Sequence, residues 1–110
     1  MDEFVVILIT CSSLEEAEKI TKTLVSEHLI ACGNMVPGIR SIFYWKNQVS
    51  EENEVLVICK SMGIRFEQIV KRVKSLHSYS VPEIIALPLS DGSPDYLNWV
   101  RESVQTLHPE

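Results

Sequence analysis

The sequence predicts an α+β fold with the order β-α-β-β-α-β and one further helix at the C-terminal end. Short apolar runs alternate with segments whose apolar residues recur at helical spacing. Two of the runs are separated by only a short polar turn, as in a hairpin. This order is the split-βαβ, ferredoxin-like arrangement, in which both main helices cover one face of an antiparallel sheet. We expect residues 1–110 to form a single domain of this kind.

The first half of the chain supplies a strand, a helix and the start of a hairpin. Residues 4–10 (FVVILIT) form an apolar run short enough for a buried strand. Ser13 and Glu16 fit a capping box, in which the hydroxyl caps a free helix N–H and the carboxylate reaches back. The helix that follows should end near His28. A second strand is expected from residue 30 onward.

A long hairpin is predicted in the middle of the chain. Pro37-Gly38 interrupts the second strand, as a turn or bulge would. The β-branched and aromatic residues of 39–45 then resume it, and Lys46-Asn47-Gln48 is a plausible turn. Val49 opens the return strand, whose apolar centre is 55–59. The second and third strands are therefore expected to form one long hairpin.

Two helices and an edge strand complete the predicted order. Apolar residues recur at helical spacing from Phe66 to Leu76. Residues 83–89 form a fourth strand, and Pro88 within it indicates an edge position or a bulge because proline cannot donate to a ladder. Ser93-Pro94-Asp95 is typical of a helix start, with an N-cap, a proline and an acid in succession.

Three of the four strands are apolar on both faces, which predicts an oligomer. In a ferredoxin-like fold the sheet face without helices should carry polar residues at alternate positions. The runs 4–9, 55–58 and 84–87 do not alternate. The third helix could cover part of this second face. We expect another copy of the chain to cover the rest, and so predict a homo-oligomer.

Composition argues against several functional classes. The formal net charge is -5, and the closest approach to a basic run is Lys71, Arg72 and Lys74, so nucleic-acid binding is not expected. No apolar run reaches the ~20 residues of a membrane span, and the acidic start does not resemble a secretory signal. We therefore expect a cytoplasmic protein without a membrane partner. P-loop, GxGxxG, HExxH and GxSxG motifs are absent, which favours a binding protein over an enzyme.

Residues 76–83 (LHSYSVPE) hold the densest set of functional side chains. His77 is either a metal ligand or proton carrier, or a cation stabilised by a helix C-terminus. Soft metals such as copper take thiolate and imidazole ligands. A metal site would form if strand ends and this loop brought together the candidate ligands Cys11, Cys32, His77 and Glu83. The alternative for the three cysteines (Cys59 is the third) is that they are buried free thiols in a reducing compartment.

A second candidate site involves aromatic residues and a lysine. Trp45 precedes the hairpin turn, where an aromatic ring can line a pocket or an interface. Lys60 directly follows an apolar strand, so its ammonium group either binds an anionic ligand or extends into water.

Five segments match, in order, the motifs of one known family. They are residues 31–38 (ACGNMVPG), 41–46 (SIFYWK), 54–60 (EVLVICK), 77–88 (HSYSVPEIIALP) and 96–99 (YLNW). These segments resemble the A-C-x-N-x-x-P-G, S-[IL]-[FY]-x-W, H-P-Y-x-x-P-E and Y-L-x-W motifs and the post-hairpin strand of the CutA (divalent-cation tolerance) family. The resemblance runs from about Val5 to Ser103. It implies a ferredoxin-like fold, a homotrimer and a link to divalent-metal tolerance, with copper binding proposed for some members.

Two departures from the family pattern bear on the metal site. Ser78 replaces the proline of H-P-Y, which predicts a looser loop. Members proposed to bind copper carry a cysteine directly before the strand-one threonine, where this chain has Ile9. Cys11, two residues on and on the same strand face, would substitute only with a shift of ~6–7 Å along the strand.

An alternative function follows from resemblance to the PII signalling proteins, which share this fold and trimeric state. Clefts between subunits would then bind a small anionic ligand through Trp45, Lys60 and Tyr79.

Overall fold

The computed structural model describes residues 3–105 of the chain. A 3-10 turn at Gly63–Arg65 precedes the second helix. The elements, in chain order, are β1 Phe4–Cys11, α1 Leu14–Ser26, β2 Cys32–Trp45, β3 Gln48–Met62, α2 Phe66–Leu76, β4 Ile84–Pro88 and α3 Pro94–Val104. This α+β order confirms the predicted β-α-β-β-α-β sequence with an added C-terminal helix.

The four strands form one antiparallel sheet in the order β2-β3-β1-β4. β1 lies between two partners, with Ile7 opposite Cys59 of β3 and Ala86 of β4. β4 is an edge strand, in agreement with the prediction from Pro88. Proline has no N–H, and at an edge no second neighbouring strand needs that donor. This order of strands is the ferredoxin-like one.

The β2–β3 hairpin is long, and its irregularities lie where turn residues predict them. The register shifts between Val36 and Ile39, and Gly38 adopts φ 77°, a left-handed conformation that glycine tolerates without a steric penalty. At the tip, Lys46 and Asn47 have φ 51° and 65°, which suits a two-residue turn of the type that matches strand twist.

The core lies on the sheet face beneath α1 and α2. Ile7 of β1, Ile20 and Leu24 of α1, and Ile69 and Val73 of α2 are fully buried there. Burial of these side chains stabilises the fold, because apolar area removed from water contributes about 25 cal/mol per Å².

The opposite face of the sheet is covered only in part. Val100 and Val104 of α3 pack on Ala31 and Met62 in a second, smaller cluster. Ile85 and Leu87 of β4, which pair with Leu8 and Val6 of β1, remain 48% and 49% exposed. As the strand patterns predict, α3 alone does not bury this apolar face.

The helix starts differ in detail from the capping patterns. Ser13 Oγ accepts a hydrogen bond from the Glu16 N–H at 3.1 Å, as a capping box requires. The Glu16 carboxylate, however, accepts from Ser12 and Ser78 instead of reaching back to Ser13. Ser93 occupies the N-cap position of α3, but its side chain makes no capping hydrogen bond.

Within residues 3–105, no helix is both long enough and apolar enough to cross a membrane.

We predict that Ile7→Ala lowers the free energy of unfolding by about 2–5 kcal/mol, because the fully buried side chain leaves a cavity between sheet and helices. Urea denaturation followed by circular dichroism measures the change. The matched control is Ile64→Ala, at a residue that is 66% exposed, where we expect a change below about 0.5 kcal/mol. Equal losses in the two variants would contradict this assignment of the core.

Candidate metal site

Three ligand-type side chains meet where β1, α1 and α2 come together. Cys11 is the last residue of β1, Glu16 lies in the first turn of α1, and His77 directly follows α2. One ligand atom from each residue lies within 4.8 Å of the other two. This is the only group of three or more such side chains at that spacing in the described part of the chain. A thiol, a carboxylate and an imidazole together form a donor set suited to copper or zinc.

The tautomer of His77 is fixed by two backbone groups. Its side chain is fully buried, and Nε2 lies 2.7 Å from the carbonyl oxygen of Thr10. Because a carbonyl only accepts, Nε2 carries the proton. Nδ1 accepts a hydrogen bond from the Tyr79 N–H at 3.0 Å and lies 3.7 Å from Glu16 Oε2. A donor bond from the far ring nitrogen to a backbone carbonyl is the orientation that metal-ligating histidines commonly adopt.

Glu16 is held in place by donors from both sides of the cluster. The Ser12 N–H and Ser12 Oγ donate to Oε1 at 2.8 and 2.9 Å, and the Ser78 N–H donates to Oε2 at 2.6 Å. Burial raises the pKa of this carboxyl, but the hydrogen bonds from Ser12 and Ser78 outweigh it and lower the pKa to about 2. The carboxylate is therefore ionised throughout the neutral range.

The Cys11 thiol is fully buried and protonated at neutral pH. Burial, followed by the nearby charges of Glu16 and Glu54, raises the pKa of the thiol to about 12. A metal ion bound here would have to displace that proton, because the thiolate is the form that coordinates metals. Affinity at this site would consequently rise with pH.

Tyr79 connects the cluster to a buried acid on the hairpin. Its ring lies 4.9 Å from the His77 ring, centroid to centroid, and its hydroxyl donates to Glu54 Oε2 at 2.7 Å. Burial and the adjacent Glu54 carboxylate raise the pKa of the Tyr79 hydroxyl well above its ordinary range. The phenol thus remains a donor and covers one side of the imidazole.

The other sequence-derived candidates lie elsewhere. Cys32 is on the sheet face that carries α3, where its Sγ lies 3.5 Å from the Tyr96 hydroxyl oxygen. Glu83 is exposed just before β4 and is not part of the three-residue cluster. Lys60 of β3 donates to the Asn34 side chain. The structure thus brings Cys11 and His77 together and leaves Cys32, Glu83 and Lys60 apart from them.

Glu16 joins the cluster although the sequence did not identify it as a ligand. The available signal was the Ser13–Glu16 capping pattern, which accounts for the glutamate as a helix cap. Its carboxylate instead faces the loop after α2, because Ser78 supplies a backbone donor there.

A cavity of about 780 Å³ lies beside the cluster, between the hairpin and the loop that leads into β4. Trp45 and Tyr79, two of the three residues predicted to form a ligand pocket, line this cavity, and Lys60 does not. The complete lining is Thr10, Ser12, Ser41, Ile42, Phe43, Trp45, Ser50, Glu52, Glu54, Tyr79, Ser80, Val81 and Glu83.

Residues 5–103 match the family model described as CutA1 divalent ion tolerance protein. The chain belongs to this family. It is 48% identical over 98 residues to the divalent-cation tolerance protein CutA of Thermus thermophilus, covering 89% of this chain and 95% of that one. It is 38% identical to the chloroplastic CutA of Arabidopsis thaliana over 92% of this chain, but spans only 56% of that longer protein.

Solved CutA structures share the fold closely. The Thermus thermophilus Cut A1 structure superposes with a TM-score of 0.91 at 46% identity, covering 93% of this chain and 99% of that one. A structure described as the periplasmic divalent cation tolerance protein CutA of Archaeoglobus fulgidus also gives 0.91, at 38% identity, covering 93% and 99% of the two chains. The family and the fold expected from the sequence motifs are both confirmed.

The two departures from the family pattern have distinct structural settings. Ile9, at the position of the family cysteine, is fully buried in the main core, as is Cys11 two residues further along β1. At Ser78 we expected a looser loop, but the residue makes contacts unavailable to proline. Its N–H bonds to Glu16, and its hydroxyl oxygen lies 3.4 Å from that of Ser12.

We predict that Ser78→Pro lowers the free energy of unfolding by about 1–2 kcal/mol. The substitution removes the N–H that donates to the Glu16 carboxylate, and the smaller entropy of the unfolded chain offsets only part of that loss. His77 has φ -82° and ψ 144°, a conformation compatible with a following proline, so the lost donor dominates the effect. Urea denaturation measures it.

Ser78→Ala is the matched comparison, because alanine removes the hydroxyl but retains the N–H, so we expect a smaller loss in the free energy of unfolding than with proline. If alanine and proline were equally destabilising, the backbone bond to Glu16 would not be the cause.

We predict that the stabilisation due to Glu16 depends on pH. Because the pKa of the folded-state carboxyl is lowered from 4.5 to about 2, the contribution is fully present above pH 4.5 and is lost as the pH falls towards about 2. Denaturation curves of the metal-free protein and of Glu16→Gln between neutral pH and pH 2 test this. The difference between them should be constant near neutrality and shrink in acid. A difference that grew in acid would refute the assignment.

Proposed function

We propose that the protein is a homotrimeric binding protein, not an enzyme, that takes up a divalent metal ion, copper in the first instance, at Cys11, Glu16 and His77. The observation that carries this proposal is the approach of their three ligand atoms to within 4.8 Å of one another. The family to which the chain belongs is named for divalent ion tolerance, which agrees with a site of this chemistry.

The chemistry of the donors fits such an ion. Glu16 is already ionised, and loss of the Cys11 proton would give the site two negative charges to match a divalent cation. Nδ1 is the ring nitrogen of His77 that offers a lone pair, since Nε2 is committed to the Thr10 carbonyl, and it lies 3.7 Å from Glu16 Oε2. Coordination by Nδ1 would replace its hydrogen bond from the Tyr79 N–H. The bound ion would neutralise the negative charges of Glu16 and the Cys11 thiolate. It would lie where the start of α1 is already hydrogen-bonded to the loop after α2.

Cys32 and Glu83, the other proposed ligands, would not complete this site within one subunit. Cys32 lies on the opposite face of the sheet, and Glu83 is directed towards the cavity. We therefore propose that Glu16 takes the place that sequence reasoning gave to them.

The uncovered sheet face supports the trimer. Ile85 and Leu87 of β4 are about half exposed, and so are Tyr96 and Trp99 of α3. Exposed apolar residues grouped on one surface mark an interaction site more often than a free surface. A further copy of the chain is the cover that we propose, as the family resemblance implies.

We propose a cytoplasmic location, since the chain carries three free cysteines, of which Cys11 and Cys59 are buried. The periplasmic and chloroplastic designations belong to the Archaeoglobus and Arabidopsis proteins.

Ligand sensing in the manner of the PII proteins is a second candidate function, and the cavity beside the hairpin favours it. Trp45 and Tyr79 line that cavity. The anionic ligand expected from the sequence fits less well, because the cavity presents Glu52, Glu54 and Glu83 and the Lys60 ammonium group lies outside it.

We predict saturable Cu(II) binding by titration calorimetry of the metal-free protein, with a binding constant at least about tenfold weaker in Cys11→Ser and in His77→Ala. Zn(II) serves as a second probe that undergoes no redox chemistry with the thiol. Light scattering should give a mass of about three times 12.5 kDa.

Cys32→Ser is the control for the thiol, because it removes a cysteine outside the cluster and should leave metal binding unchanged. Absence of saturable binding, or equal binding by His77→Ala, would exclude this site. A monomeric mass at micromolar concentration would exclude the trimer and leave the metal site standing.

A further inference from the structure

The segment between β4 and α3 contains an aspartate that is followed directly by glycine. Asp91-Gly92 is the only place in residues 1–110 where glycine follows an aspartate or an asparagine. The carboxyl group of an aspartate can condense with the backbone nitrogen of the next residue. Glycine permits this reaction most readily, because it has no Cβ to shield that nitrogen. The pair is therefore a candidate site for rearrangement of the main chain.

The side chain of Asp91 is folded onto the nitrogen that would attack it. The Gly92 N–H donates to Asp91 Oδ1 at 2.8 Å. Because Oδ1 is bonded to the carboxyl carbon, this contact keeps that carbon close to the nitrogen. A five-membered ring can thus close after a small rotation of the side chain.

The pair also lies in a part of the chain where the backbone is free to rotate. Both residues are exposed and lie outside the strands and helices. Before them, the Leu89 N–H donates to the Phe4 carbonyl at 2.9 Å. After them, the Ser93 carbonyl accepts from the Leu97 N–H at 3.0 Å. An exposed connection between two such fixed points opens at little cost in free energy, and ring closure needs that freedom.

The packing of α3 accounts for the glycine at this position. A Cβ on residue 92 would lie 3.1 Å from Cγ and from Cδ2 of Leu97, closer than an ordinary van der Waals contact. Leu97 is half-buried in the first part of α3, so a larger residue at 92 would have to displace it. The close approach of the helix therefore favours the residue that leaves the Asp91 carboxyl most reactive.

Asp95, the other aspartate within residues 3–105, has the opposite surroundings. It lies in the first turn of α3, and Tyr96 follows it. The helix fixes its backbone dihedral angles, and the Cβ of Tyr96 shields the nitrogen that would have to attack. Rearrangement is therefore expected at Asp91 and not at Asp95.

We infer that Asp91-Gly92 is a modification site at which the folded chain forms a succinimide and then an isoaspartyl residue. The Gly92 nitrogen bonds to the Asp91 carboxyl carbon and gives up its proton, and the displaced hydroxyl group leaves with that proton as water. A second water molecule then opens the ring. Opening at the side-chain carbonyl restores aspartate, and opening at the main-chain carbonyl leaves the chain linked through the side chain. No oxidant, reductant or metal takes part.

The rearrangement would alter the main chain immediately before α3. Isoaspartate adds one backbone atom between β4 and Ser93, the N-cap residue of α3. Val100 and Val104 of this helix belong to the smaller apolar cluster, so the change acts on the element that covers part of the second sheet face. The new carboxylate on the α-carbon is the group that isoaspartyl methyltransferases esterify with S-adenosylmethionine. An enzyme of this class is the partner that the modified site fits.

Accumulation of isoaspartate in the folded full chain tests this site. The protein is incubated at neutral pH below its unfolding temperature, and isoaspartate is measured by the transfer of a labelled methyl group from S-adenosylmethionine by an isoaspartyl methyltransferase. A synthetic peptide of residues 86–96 gives the rate in the absence of the fold. We expect the folded chain to accumulate label at a rate within about tenfold of the peptide, because the exposed loop opens at little cost. Slower accumulation, or none, would show that the fold protects the pair and would overturn the assignment.

Variants assign the label to one residue. Asp91→Glu can close only a six-membered ring, which forms far more slowly, so the label should be lost. Asp95→Glu makes the same change in the first turn of α3 and should leave the label unchanged. Asp91→Asn, whose side chain releases ammonia in place of water, should accumulate label faster than the parent chain. Equal label in Asp91→Glu and the parent chain, or loss of label in Asp95→Glu, would place the isoaspartate elsewhere and refute the assignment.

Discussion

Backbone pairing on both sides of β1 is the constraint from which the rest of this structure follows. β3 pairs with the strand along its whole length and β4 with its central part, and the helices cover the face that holds Ile7 and Ile9. Its last residues, Thr10 and Cys11, still pair with Leu56 and Val55. The carbonyl that orients His77 and the thiol beside it are therefore fixed by the sheet. Only the loop after α2 has to be brought to them.

That loop is tied to other elements by hydrogen bonds, two of which go to carboxylates. Glu16 links the start of α1 to the backbone of Ser78, and Tyr79 uses its N–H for His77 and its hydroxyl for Glu54. Bonds of this kind to an ionised group are stronger than neutral ones and fix direction as well as distance. Three residues that line the cavity, Thr10, Ser12 and Tyr79, also contact Glu16 or His77, so the candidate metal cluster and the cavity adjoin each other.

Periodicity and turn chemistry were sufficient to predict the fold. Runs of consecutive apolar residues identified the buried strands, and Pro37-Gly38 and Pro88 located the bulge and the edge. The site was harder to predict, because the sequence around a residue does not show which distant loop packs beside its side chain. Cys11 and His77 were recognised from their residue types. Glu16 was accounted for by its capping role, and Cys32 was grouped with residues from which the sheet separates it.

Ser78 illustrates why a departure from a motif is hard to interpret from sequence alone. Replacing proline by serine suggested a gain of freedom in the loop, yet it also introduced an amide hydrogen that binds a carboxylate from another element. Whether such a replacement stabilises or destabilises the fold depends on Glu16, a partner 62 positions away in the chain.

The bulge in β2 has a consequence for how the edge of the sheet meets other chains. β2 is a 14-residue strand at the border of the sheet, and its tip exposes Tyr44 and Trp45. A long, flat border of this kind is a template for uncontrolled strand addition and fibril growth. Pro37 lacks an amide hydrogen, and the left-handed Gly38 bends the strand next to it, so that no straight template longer than about half the strand is offered. The irregularity at Pro37-Gly38 thereby shortens the straight edge to which another strand could add.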